Sequence, residues 1–247
     1  MNIINQIIQR EQKAINHFFN TKKISAPTLP SWIDSALIQH WHKLLFNLHY
    51  LPPVALEENL TLHLWQDRPN KYFYKKIKQG MLNVKAKFLP GKWILIDSRD
   101  KPAKKICWIT SMDTWVLKRI GFKPKNYFKK KNKQIYEQEY LTNLLKQKGF
   151  GSRFCLSIND IHTLKPFILD LLKIQNKTIR LPYFMEYNYL GNNFYPNWAK
   201  TKTWEWFEDK FDKNQHLAGG SETVGCIGWE PPDFWSTILT FRPVVEV

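Results

Sequence analysis

The chain has 247 residues, 43% of them apolar and 15% aromatic, with a formal net charge of +16. That length holds one large domain, or one domain with a smaller appendage, and the apolar content is that of a chain able to bury a core. The negative mean hydropathy, with no apolar run of roughly eighteen residues, argues against a transmembrane helix.

The N-terminus, MNIINQIIQREQKAINHFFN, has no basic start, continuous apolar middle or small-residue cleavage site, so it is not a secretory signal and the expected location is cytoplasmic. Ile4, Ile7, Ile8, Ile15, Phe18 and Phe19 instead recur at helical spacing and predict an amphipathic helix over about 2–20. A turn-rich stretch, TKKISAPTLPS, leads to a second predicted helix, WIDSALIQHWHKLLFNLHY, ended by the prolines at 52 and 53. In LPGKWILIDSRDKP, the run Trp93–Ile96 between Pro-Gly and Asp-Ser predicts a strand. Residues 106–122 mix strand and helix character. EQEYLTNLLKQKGFG predicts a helix ending at Gly149, and SINDIHTLKPFILDLLKIQ predicts another, with Ser157 as N-cap and a start that Pro166 would shift. From residue 179 onward helical periodicity fades and aromatics, Gly, Asn and Pro become dense, which suits short strands and loops.

Charge is unevenly placed. Residues 1–150 carry 27 Lys and Arg against 10 Asp and Glu, whereas residues 151–247 carry 10 against 11. The excess concentrates in KYFYKKIKQG, KPAKK and GFKPKNYFKKKNK, where aromatics interleave with lysines such as Lys75, Lys76, Lys129, Lys130 and Lys131. This predicts a nucleic-acid or anionic-surface interface over 71–133, or alternatively a solvated face inflated by an AT-rich coding bias. Cys107, Cys155 and Cys226 form no CxxC pair, so neither a disulfide framework nor a zinc site is predicted, and a reducing compartment is the mild inference.

Catalytic signals are weak. The seven histidines fall in no metal-ligand pattern and read as helix-surface and boundary residues, and GxSxG, P-loop and GxGxxG motifs are absent. GFGSRF reads as a helix C-cap and turn rather than a phosphate cradle. Glu205, Glu208 and Asp209 could act as paired carboxylates, with Glu205 and Asp209 sharing a face at helical spacing, but a solvated face is the commoner explanation. The least ordinary stretch is GCIGWEPPDFWSTILTF (225–241), where large apolar groups occur without strand alternation. Trp235, Ile238, Phe241 and Trp229 are expected in the core, and Pro231, Pro232 and Phe234 on the surface.

Four segments in order carry a family resemblance: IRLPYFMEYNYLG (179–191), TWEWFED (203–209), LAGGS (217–221) and LTFRPVVEV (239–247). Together they resemble the formylglycine-generating-enzyme branch of the C-type lectin fold. The resemblance implies an α+β protein, with a helical N-terminal region (1–85) and a C-type lectin-like domain (86–247). It does not carry the activity over. The branch's enzymes use a copper-binding cysteine pair between the GGS turn and the FR strand, and here that interval holds Cys226 alone. The histidine motif of the related iron-dependent synthases is also missing. Catalysis is therefore not expected, no cofactor or metal is expected, and residual copper binding at Cys226 is the degenerate-enzyme alternative.

The arrangement also resembles the variable proteins of diversity-generating retroelements, which use this fold for ligand display and diversify the stretch before the terminal strand. The resemblance implies a variable region near 221–240. Adenine-directed change of AAC or AAT codons cannot produce Trp, Glu, Lys, Gln or Met. Glu222, Trp229, Glu230 and Trp235 are thus expected to be fixed, with Trp204, Trp206 and Arg242 completing the scaffold. Thr223, Gly225, Cys226, Ile227, Gly228, Pro231, Pro232, Asp233, Phe234, Ser236 and Thr237 are the expected replaceable contacts, with Ile238 and Thr240 less clearly so. The implied partner is a protein or other macromolecule outside the chain.

Overall fold

In a computed structural model, the described residues are 2–100, 144–148 and 153–247, except Lys22, His63, Lys146, Cys155, Lys213 and Thr237. The expected helix before Gly149, the mixed stretch 106–122 and most of the basic region, including Lys129, Lys130 and Lys131, lie outside them. The described chain is mixed α and β, with five α-helices and two four-stranded sheets.

The helices are α1 (Ile3–Phe19), α2 (Ser35–Lys43), α3 (Lys71–Lys78), α4 (Ile158–Leu171) and α5 (Phe184–Asn193). The strands are β1 (Phe46–Leu51), β2 (Lys92–Asp97), β3 (Ile179–Arg180), β4 (Trp204–Phe211), β5 (Gln215–Gly219), β6 (Ile227–Glu230), β7 (Leu239–Thr240) and β8 (Val244–Glu246). One sheet runs β1-β2-β8-β3 and is antiparallel throughout. The other runs β6-β5-β4-β7, with β7 parallel to β4.

The strand expected at Trp93–Ile96 is β2, and its unbroken apolar run has a physical cause. Trp93 and Leu95 enter one core cluster, while Ile94 and Ile96 enter the other, so both faces are covered. α4 begins after Ser157 as its spacing predicts. The Ser157 hydroxyl accepts from Asp160 N at 3.1 Å, Ser157 N donates to the Asp160 carboxylate, and Pro166 is held inside the helix without moving its start.

Two expectations fail. The second helix stops at Lys43, and Phe46–Leu51 is a strand that pairs antiparallel with β2. Leu45, at φ 60°, turns the chain between them. Residues 184–193, read as irregular, are helix α5. Phe184–Gly191 are all buried, so no polar face remains to give a helical period. β1, from the expected N-terminal region, shares its sheet with β2 and β8 from the expected lectin-like domain.

Candidate ligand-binding site

The four motif segments meet in the core. Arg180 grips Glu186 through Nη1–Oε2 and Nη2–Oε1, both at 2.7 Å, and Glu186 also accepts from Tyr183 N at 2.9 Å. Arg242 binds Glu205 through two bonds of 3.0 and 2.8 Å and lies 3.8 Å from the centroid of the Trp198 ring. The Glu205 and Asp97 carboxylates hold the buried Arg242 guanidinium protonated against the desolvation that opposes it. Gly220, at φ +81°, turns where a Cβ would stand 2.6 Å from the Tyr187 hydroxyl oxygen. Trp206 is buried, and its indole N–H donates to Leu156 O at 3.0 Å.

On this frame a pocket of about 490 Å³ opens beside β6 and the 231–238 loop. Its lining draws on both expected sets: Ile227, Gly228, Phe234 and Ser236 from the replaceable one, Trp204 and Trp229 from the scaffold. Space exists because Ala218 and Gly228, paired across β5 and β6, are both small. Trp204 leans over that floor, so that a Cβ on Gly228 would lie 2.9 Å from its ring. A concave, mostly apolar site of this size, with four aromatic side chains in its lining, matches small-ligand and side-chain pockets in general.

The expected contacts separate by burial. Pro231 and Asp233 are exposed, while Thr223, Cys226, Gly228, Pro232 and Phe234 are half-buried. Ile227 (8% exposed) and Ser236 (5%) are buried. Gly225 is buried with no room for a side chain. A Cβ there would overlap the Arg68 carbonyl oxygen, while Gly225 O accepts from Asn70 N at 3.1 Å. Trp235 and Phe241 are core as expected, whereas Trp229 and Ile238 are half-buried and line the pocket. Thr237 lies outside the described residues.

Tyr72 on α3, like Ala218 and Leu239, lines the pocket although the sequence did not single it out. Its ring stacks on Trp229 with centroids 5.5 Å apart and planes 17° apart, and Phe211 stacks on the same indole at 4.3 Å and 11°. Lys76 sets its ammonium 4.8 Å from the Tyr72 ring and 5.5 Å from Trp229. The basic region and the candidate contact region, far apart in sequence, therefore share one surface. KYFYKK already interleaved aromatics with lysines, but nothing in the sequence tied that segment to Trp229.

The acids of TWEWFED are not a solvated face. Glu205 is occupied by Arg242, and Asp209 accepts from Phe184 N at 2.6 Å; both are buried on β4 rather than on a helix. Burial pushes the Asp209 carboxyl up to about 7. His49 is likewise no surface histidine. It is buried on β1, with Nδ1 3.1 Å from the Glu11 carboxylate and Nε2 2.6 Å from the Tyr195 hydroxyl. Burial holds its imidazole below the usual range. Among the described residues no group of three or more His, Cys, Asp or Glu is placed to hold a metal ion, and no helix is long and apolar enough to cross a membrane.

Comparison with known protein families, with curated proteins and with solved structures returns no match.

Proposed function

We propose that the protein is a non-enzymatic binder that displays a retroelement-diversified surface on a C-type lectin-like scaffold. The observation that carries this reading is the pocket beside β6, whose lining holds both positions expected to be replaceable and positions expected to be fixed. Two supports lie deeper. Arg180 ties the first motif segment to the last through Glu246, Arg242 ties the last to the second through Glu205, and the third pairs with the second as strands β5 and β4, which holds a rim steady while side chains on it change. Changes at exposed positions such as Pro231 and Asp233 typically shift stability by less than about 0.5 kcal/mol, so that part of the rim tolerates variation.

We take as the replaceable set Ile227, Gly228, Phe234 and Ser236, which line the pocket, with Pro231, Pro232 and Asp233 of the loop between them in the chain. Gly225 moves to the scaffold. The test is the flanking DNA. A reverse-transcriptase gene and a near-copy of the coding stretch for 221–240 are expected, with mismatches at template adenines and none altering codon 225. Flanking DNA without such a repeat would sink the retroelement reading.

A second reading, binding of nucleic acid or an anionic surface through residues 71–133, is favoured by the contact of Lys76 with Trp229. Under it, affinity for generic DNA or RNA falls steeply with salt. Absence of binding at low salt removes it.

A further inference from the structure

The pocket and helix α3 form one composite surface, and its chemistry narrows the ligand. Tyr72 is 40% exposed and continues the near-parallel series that Phe211 and Trp229 begin. An exposed ring at the end of a stack is a platform for another planar group. Lys75 and Lys76 stand three and four residues beyond Tyr72, on the same side of α3, and Lys71 precedes it. Lys71 and Lys75 are exposed, and none of the ion pairs among the described residues engages them. α3 itself carries no acidic residue. On the pocket lining the one carboxylate is that of Glu230, which disfavours phosphate inside the cavity and leaves the lysine side to the anion.

We propose that this surface binds single-stranded nucleic acid, with one base in the pocket or stacked on Tyr72 and the phosphates along Lys71 and Lys75. The inference rests on the pocket being the binding site and adds the class of ligand. Aromatic platforms beside lysines take unpaired bases because every base offers a π-face, whereas a duplex keeps its bases stacked within. A cavity of about 490 Å³ admits a splayed base, which uniform electrostatic attraction to a duplex would not require.

The test titrates full-length protein with labelled oligo-dT, oligo-dA and oligo-U strands, and with a matched duplex, from low to physiological salt. Single strands are expected to bind more tightly than duplex and to quench indole emission. Tyr72→Ala, at an exposed position, is expected to weaken single-strand binding at least about fivefold. Lys71→Glu with Lys75→Glu is expected to weaken it further and flatten the salt slope. Equal affinity for duplex, no single-strand binding at low salt, or unchanged binding by Tyr72→Ala overturns the inference. Gly228→Leu, which fills the pocket, separates the two levels. If an acidic aromatic peptide binds wild type, is lost in folded Gly228→Leu, and the strands do not bind, the ligand class is wrong and the pocket reading stands. If folded Gly228→Leu keeps all binding that the wild type shows, both fall.

Discussion

Arg242 and Glu205 face each other in the core through two hydrogen bonds of 3.0 and 2.8 Å, neither side chain reaching solvent. The pair joins the segment after β7 to β4, and Arg242 also donates to the carbonyl oxygens of Asp97 and Arg99. One guanidinium thus ties three stretches of chain.

Removing one partner strands the other charge. Arg242→Ala is expected to cost about 3–5 kcal/mol in denaturant unfolding, as breaking a buried pair does. The exposed pair Lys78–Glu58, 2.9 Å apart, is the control: Lys78→Ala should cost no more than about 1 kcal/mol. Similar losses for the two would show that burial does not govern the Arg242 contact.

The two glycines of the contact region are expected to respond differently to a methyl group. Gly225→Ala forces a methyl group against the Arg68 backbone carbonyl and should cost at least about 2 kcal/mol, in the range of overpacked sites. Gly228→Ala meets the ring of Trp204, a side chain that can give, and should cost less than half as much. Thermal unfolding of the two variants decides it, and a reversed order would return Gly225 to the replaceable set.

Asp209 gives a pH signature. Its folded value, about 7, lies above the unfolded carboxylate value, so the folded state holds a proton that the unfolded state has released. Its contribution is therefore most favourable below about pH 4 and is lost as pH rises towards 7. Asp209→Asn, compared with wild type at each pH, should gain relative stability across that window and level off above it. A flat difference would place the proton elsewhere.

Lys76→Met keeps the aliphatic stem and removes the charge beside Tyr72 and Trp229. At this half-buried site the cation–π contribution is about 0.5–1 kcal/mol, so the loss should be small. Indole emission is the sharper readout, because the ammonium within 5.5 Å of Trp229 stops polarising that ring. Unchanged emission would mean that Lys76 does not occupy this position in solution.

The elements legible in sequence were those with one period and a visible cap. α1 shows its apolar stripe, α4 shows Ser157 and Asp160, and β2 shows a short run between turn signals. β1 was hidden because HKLLFNLHY follows a helix without Gly or Pro, and it is Leu45 at positive φ that makes the break. α5 was hidden because a helix buried all round has no amphipathic period. Within the site, the positions on β6 and its following loop were legible from their odd composition. Tyr72, Lys76 and the Arg68 carbonyl were not, since stacking and backbone crowding between distant segments leave no local trace.

The place of β8 has a consequence for synthesis. Val244 and Val245 sit between β2 and β3, pairing with strands that end at residues 97 and 180. β1 and β2 pair without β8, but they cannot be joined to β3 until the ribosome has delivered residues 244–246. Such long-range closure is slow and leaves strand edges open meanwhile. A frameshift or stop within 223–237 deletes the joining strand as well as the surface, and leaves a chain with two open edges for proteases to clear.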